Sequence, residues 1–252
     1  MDDELIWPSW QKPEGIGAIS TTRLGGLSPA PWNSLNLGIN TGDSLKNIEA
    51  NRAVLAQPMH DIPVQWLRQV HGSNGVVLQK DVLMDLPEAD FSYTNKKGIA
   101  CAVLTADCLP ILICNVAGTE IAAVHAGWRG LSSGVIASAL RQFDSSPSDL
   151  MAWIGPSIHQ KSFEVGAEVV QAMSNSESLS SSDVDKFCIP HAQVFGKFFL
   201  DLVGIARINL SDLGVDKVYG GNLCSYSDPE RFFSYRRDGE TGRMASLIWI
   251  NL

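Results

Sequence analysis

Cysteine is scarce and shows no pairing pattern. The 252-residue chain has five, Cys101, Cys108, Cys114, Cys188 and Cys224, an odd number at wide intervals with no Cys-x-x-Cys pair. That argues against a disulfide framework and for a reducing cytoplasm, where a special cysteine acts as ligand or nucleophile. Long apolar runs are also missing, so no segment reads as a transmembrane span. The opening "MDDELIWPSW" is acidic and lacks the basic and apolar regions of a signal peptide. Basic clusters are missing as well. Lys and Arg number 19 against 27 Asp and Glu, for a net charge of −8. Such a field repels polyanions, which excludes nucleic acid as a partner and leaves any anionic substrate to a few local arginines. There is no low-complexity linker, internal repeat or heptad run. The one candidate boundary, the serine-rich stretch 174–185, separates pieces that do not look self-sufficient. The composition, 45% hydrophobic and 18% charged, is that of an ordinary globular chain, long enough for one large domain over 1–252, monomeric or a small homo-oligomer.

The apolar patterning supplies the elements. "GIGAIST" reads as a strand broken at Gly25-Gly26. "TGDSLKNIEANRAVLAQ" predicts a helix capped by Asp43 or Ser44, with Leu45, Ile48, Val54 and Leu55 as its stripe. "PVQWLRQVHGSNGVVLQ" reads as two short strands about a Gly-Ser-Asn-Gly turn, which would put His71 at a strand end. "KKGIACAVLTADCLPILICNVAGTEIAAVHAG" reads as three strands, two of them apolar enough to be covered on both faces. "GWRGLSSGVIASALRQF" predicts a helix with Leu131, Val135 or Ile136, Leu140 and Phe143 on one side. "LMAWIGPSI" predicts a buried strand and "FEVGAEVVQAM" a short helix. Residues 174–185 read as an exposed loop. The longest helical pattern, 192–214, can end at Gly214. A strand, a loop and a final strand close the chain. Strands and helices alternate without segregation, which gives one α/β or α+β sandwich domain.

The chemistry-bearing residues are few. Of five histidines (His60, His71, His125, His159, His191), His71 and His125 each close an apolar run and lead into glycine. Cys108 opens another run after "LTAD". Strand ends hand side chains to clefts from a rigid backbone. Two imidazoles and a thiolate suit zinc, and three protein ligands leave open the fourth position of a catalytic site. The three are far apart along the chain, so only the fold can assemble them. Otherwise His125 is a hydrogen-bonded edge histidine and Cys108 a small buried hydrophobe.

The stretches "RQVHGS", "TADCLPIL", "AAVHAGWRG", "WIGPSI…FEVG" and "FFSYRRDGETGR", preceded by "STTRLGGLS" and "LNLGINTGDSLKNIEANR", together resemble the laccase-domain family. That family is also known as multicopper polyphenol oxidase-like, peptidoglycan editing factor or purine nucleoside phosphorylase. The resemblance covers nearly the whole chain in order. It implies a single α/β sandwich with mixed sheets flanked by helices, and a zinc site at His71, Cys108 and His125. It also implies phosphorolysis of purine nucleosides to base and ribose 1-phosphate, with methylthioadenosine phosphorolysis and adenosine deamination at the same site.

Phosphorolysis needs an anion held near the anomeric carbon and a stabilised leaving base. Arginine forks hold phosphate. Arg129, at the start of a helix, is the first candidate, Arg23 the second, and Arg236 and Arg237 the third. Asp107 and Glu164 are candidate general acids, and Asp107 is alternatively the partner that fixes a ligand histidine. Trp128, Phe163 and Tyr226 are candidates for stacking on a purine. Three rival functions remain. A copper polyphenol oxidase would place copper at the site, but a trinuclear cluster plus a blue-copper centre needs more imidazoles than five scattered histidines offer. A cysteine hydrolase acting on peptidoglycan precursor peptides would pair Cys108 with a histidine, with Asp107 or an amide as orienter. A zinc-stabilised binding module would unfold on chelation without turnover.

Overall fold

Apolar runs long enough to be buried on both faces need a layer on either side, and that requirement organises the fold. The structure is a computed structural model describing residues 4–79, 83 and 85–252. Residues 1–3, on which part of the reading of the N-terminus rests, lie outside the described residues. The chain opens with β1 (Leu5–Ile6) and β2 (Ile16–Thr21). It continues through α1 (Leu45–Val54), β3 (Val64–Gln65), β4 (Gly75–Val77), β5 (Phe91–Thr94), β6 (Ala100–Thr105), β7 (Leu109–Asn115) and β8 (Ile121–Ala126). Next come α2 (Trp128–Ser132), α3 (Val135–Leu140), β9 (Leu150–Ile154), β10 (Glu164–Gly166), α4 (Ala167–Ser174) and α5 (Ser181–Lys186). The chain ends with β11 (Cys188–Pro190), β12 (Lys197–Leu200), α6 (Leu202–Asp212), β13 (Lys217–Gly220), α7 (Tyr235–Asp238) and β14 (Met244–Ile250).

Among the described residues there are three sheets, ordered β1-β2-β14-β6-β3, β13-β9-β7-β8-β5-β4 and β10-β12-β11. The first two are mixed: β3 runs parallel to β6, β4 to β5 and β13 to β9, and the other pairs are antiparallel. Alternation along the strands shows how they stack. Ile111 and Ile113 of β7, with Ala122 and Val124 of β8, face α3, α4 and α6. Leu112 and Cys114, with Ile121 and Ala123, face the other large sheet, where they meet Cys101, Val103, Ile248 and Ile250. The outer face of that second sheet, including Ile19, Ala102, Leu247 and Trp249, is covered by Leu35, Leu37, Leu55 and Met59. The fold is a single-domain mixed α/β sandwich, as the sequence implies.

Several local expectations change. Ser44 caps α1 by accepting from the Asn47 amide, while Asp43 accepts from Ser28 and Asn36. The inward face of α1 is Ile48, Asn51 and Leu55, and Leu45 and Val54 are exposed. Buried Asn51 replaces the expected apolar stripe with hydrogen bonds to Ser28, Ser34 and Asn36. Strands β3 and β4 lie in different sheets and form no hairpin. The 127–143 helix breaks in two at Gly134, whose φ of 77° favours a residue without Cβ. "FEVG" is strand β10 before it becomes helix α4. The serine-rich stretch contains Ser180, which caps α5, and it buries Leu179 and Val184. The 192–214 pattern divides into β12 and an Asp201-capped α6. Strand β5 escaped the sequence reading because its four buried residues, Phe-Ser-Tyr-Thr, mix polar with apolar.

Candidate metal centre

β7 and β8 pair antiparallel with Leu109 opposite Ala126 and Pro110 opposite His125. Cys108, just before β7, and His125, near the end of β8, therefore sit at the same end of neighbouring strands. His125 shares its face with Ile121 and Ala123 and so looks into the layer between the sheets, at its open end. His71 arrives from elsewhere. It ends no strand, but stands exposed in the loop between β3 and β4 with a left-handed φ of 61°. Gln69 ties that loop to β6 through two hydrogen bonds of 2.7 Å with the Leu104 backbone. The ligand atoms of His71, Cys108 and His125 lie within 4.8 Å of one another, and the two rings meet edge to face.

Two features make the gathering permissible. A Cβ at Gly127 would stand 2.9 Å from Cys108 Sγ and 3.3 Å from His71 Cδ2, so only glycine leaves the three side chains room. The second is Asp90, which sequence reasoning missed. It immediately precedes β5, whose register places it beside His125. It is fully buried, and His125 Nδ1 donates to its Oδ1 at 2.8 Å. The carboxylate that holds the His125 ring is therefore Asp90 rather than Asp107. Asp107 accepts from Ser225 Oγ at 2.6 Å and from the Arg236 amide at 2.7 Å, which ties the β6–β7 turn to α7.

Burial alone pushes the Cys108 thiol up. The charge on His125 and hydrogen bonds from His125 and His71 outweigh it and bring the thiol down to about 6. Burial lowers the His125 imidazole, but Cys108 and Asp90 more than reverse this. Both shifts favour a thiolate beside an imidazolium, and a bound cation would displace the imidazolium proton. In metal-free protein, alkylation by iodoacetamide, followed on the peptide carrying Cys108, is expected to be constant above about pH 7 and to fall through about pH 6. A midpoint near the ordinary thiol value would contradict this geometry.

The three groups form one wall of a cavity of about 570 Å³ that also contains Asp107, Trp128, Arg129, Phe163, Tyr235, Arg236 and Arg243. That volume lies within the range of small-molecule sites. Arg129 is exposed, with its guanidinium 4.3 Å over the Trp128 ring. Arg236 donates to the Glu164 carbonyl. Arg243 lies near Cys108 and Asp107, and burial draws its pKa down. Its position at the end of "FFSYRRDGETGR", just before the apolar β14 run, was the available signal. Arg23 is absent from the cavity wall and spends its donors on Asn33 and Pro229. Arg237 likewise turns to the backbone of Ser225, Tyr226 and Phe232. The Glu164 carboxylate faces His191 and Lys197. Tyr226 is not on the cavity wall, whereas Tyr235 is.

The family model described as multi-copper polyphenol oxidoreductase laccase matches residues 17–251. The chain is 45% identical to purine nucleoside phosphorylase YfiH of Escherichia coli (strain K12), over 98% of this chain and 99% of that protein. It is 42% identical to a purine nucleoside phosphorylase of Pseudomonas aeruginosa, over 97% and 98%. A crystal structure of a Neisseria meningitidis protein assigned to DUF152 superposes with a TM-score of 0.93 at 40% identity, covering 99% of this chain and all of that one. YlmD from Geobacillus stearothermophilus superposes at 0.83 with 29% identity, over 95% and 93%.

Proposed function

This chain belongs to the multi-copper polyphenol oxidoreductase laccase family, and from that premise we propose that it is a zinc-dependent purine nucleoside phosphorylase. The observation that carries the reading is the meeting of two imidazoles and a thiolate on the wall of a cavity lined by arginines and aromatic rings. Two nitrogens and one sulfur suit zinc and leave a fourth position open. Several coppers do not fit. Among the described residues His71, Cys108 and His125 form the one such cluster, and His191 lies against Glu164 and Phe199 instead.

An ion held by His71, Cys108 and His125 would supply a Lewis acid facing the cavity. The chain's own residues do the rest. Arg129, Arg236 and Arg243 hold phosphate at the cavity wall. Trp128, Phe163 and Tyr235 offer faces to the purine. A phosphate oxygen then bonds to the ribose anomeric carbon as the bond to the base nitrogen breaks, and the departing base takes up the proton that hydrogen phosphate gives up. Asp107 acts by positioning, since its carboxylate fixes the first turn of α7 and with it Arg236. Methylthioadenosine phosphorolysis and adenosine deamination are assigned to the same cavity. The cysteines are free, which fits a reducing compartment, and we place the protein in the cytoplasm. Among the described residues no helix is long and apolar enough to cross a membrane.

Incubation with inosine, with and without phosphate, tests the reaction. Hypoxanthine and ribose 1-phosphate are expected only with phosphate. Hypoxanthine released equally without it would make the enzyme a hydrolase and overturn the proposal. One observation favours a second reading: Cys108, His125 and Asp90 stand in the order of nucleophile, base and orienter. A cysteine hydrolase acting on peptidoglycan precursor peptides would keep its activity under chelation and lose it on thiol alkylation. The zinc enzyme would lose activity under chelation.

A further inference from the structure

Asp90 does more than touch His125. Its Oδ2 accepts from the Gly72 amide at 2.6 Å and the Val70 amide at 3.3 Å, and its Oδ1 accepts from the His71 amide at 2.9 Å as well as from His125 Nδ1. Three consecutive amides thus converge on one carboxylate, a concave anion nest made possible by the left-handed φ of His71. Asp90 is itself held on both sides of its backbone. Its amide donates to the Asn74 carbonyl, and its carbonyl accepts from the His125 amide at 2.7 Å. The two histidines reach the site by very different routes. His125 is buried in a central strand, whereas His71 is exposed on a loop. Left to itself, such a loop samples many positions, and a ligand on it would lose that freedom when an ion bound.

We propose that Asp90 is the positioning residue of the metal centre, a single carboxylate that turns His125 Nε2 towards Cys108 and locks His71 into its left-handed turn. Asp90 touches neither ion nor substrate. It acts by settling in advance the ring orientation of one ligand and the backbone of the other, so that the site is assembled before the ion arrives. Because a carboxylate has only acceptors, it can satisfy the ring N–H and all three amides at once. An asparagine of the same shape cannot. With its oxygen towards the Val70 and Gly72 amides, its NH₂ faces the His71 amide and His125 Nδ1, and forces the His125 proton onto Nε2, the atom needed for ligation. With its oxygen towards His125 and the His71 amide, its NH₂ meets the Val70 and Gly72 N–H groups head on.

The inference rests on the reading of the cluster as a metal centre, not on phosphorolysis, and its test measures metal rather than turnover. Zinc affinity is read by competition with a chromophoric chelator for wild type and Asp90→Asn, alongside the thermal transition of each metal-free protein. A ten- to hundredfold loss of zinc affinity is expected in Asp90→Asn, with a cooperative transition retained. Cobalt substitution should show a weakened thiolate charge-transfer band in the variant. Wild-type affinity in Asp90→Asn would overturn the proposal, whereas failure of the wild type to bind zinc would remove the metal reading itself. Should Asp90→Asn not fold, ¹⁵N-histidine spectra of zinc-loaded wild type decide the matter. His125 is expected to carry its proton on Nδ1 with Nε2 on the metal, and the reverse assignment would overturn the proposal.

Discussion

Replacing Cys108 with alanine is expected to leave a folded protein with no stoichiometric metal and less than about 1% of wild-type turnover of inosine with phosphate. Disturbing an outer partner of a metal ligand costs about ten- to a hundredfold in affinity or activity, and in the proposed centre Cys108 is itself a ligand, the soft donor and the one anionic donor of the three. Its removal leaves two imidazoles, one of them on a loop, and strips His125 of the charge that most strongly opposes its burial penalty. The fold should tolerate the change. Cys108 is only partly buried, precedes β7 rather than lying in it, and contributes to none of the core clusters between the sheets. Metal content, the far-UV spectrum and turnover on one preparation check the outcome. Full metal occupancy in Cys108→Ala would show that the cluster is not the metal site.

Replacing Arg243 with glutamine is expected to raise the KM for phosphate about ten- to a hundredfold while moving the KM for inosine far less. Arg243 is the arginine whose guanidinium lies near both Cys108 and Asp107, and burial depresses its pKa. One arm, Nη1, donates to the Thr241 and Gly242 carbonyls. Among the described residues the rest of the fork has no hydrogen-bond partner, and no carboxylate comes within ion-pair distance. A half-buried guanidinium with donors to spare favours an anion that completes its hydrogen bonds. A charge-assisted hydrogen bond contributes about 1.5–3 kcal/mol, which is the expected change in KM at about 1.4 kcal/mol per tenfold. Glutamine keeps the hydrogen-bonding stem and removes only the charge and the fork. Initial-rate series in each substrate separate the two constants. An unchanged phosphate KM would assign the anion to Arg129 and Arg236 alone.

The centre was partly legible in the chain because strand endings are legible. Cys108 and His125 terminate apolar runs of β7 and β8, and antiparallel pairing of adjacent runs brings the start of one to the end of the next. His71 was found for the wrong local reason. It lies not at a strand end but in a left-handed turn, a conformation set by amides that converge on a residue far away in sequence. Asp90 left almost no trace, since β5 buries Ser92 and Thr94 beside Phe91 and Tyr93 and so lacks an apolar run. The same blindness to buried polar groups explains α1, where Asn51 rather than Leu45 or Val54 faces inward. Arg23 shows the limit of motif reasoning: it sits in a recognisable stretch, yet its donors are consumed by Asn33 and Pro229. A guanidinium becomes available for a ligand only when the fold leaves some of its donors without carbonyls, which no local pattern records.

The most direct test follows metal and turnover together. Protein purified without added metal is assayed for zinc and copper and for phosphate-dependent hypoxanthine release. The assay is repeated after chelation and again after zinc is restored. One zinc per chain is expected, with activity lost on its removal and recovered on its return. Full phosphate-dependent turnover by metal-free protein would contradict the assignment of His71, Cys108 and His125 as the centre of the reaction.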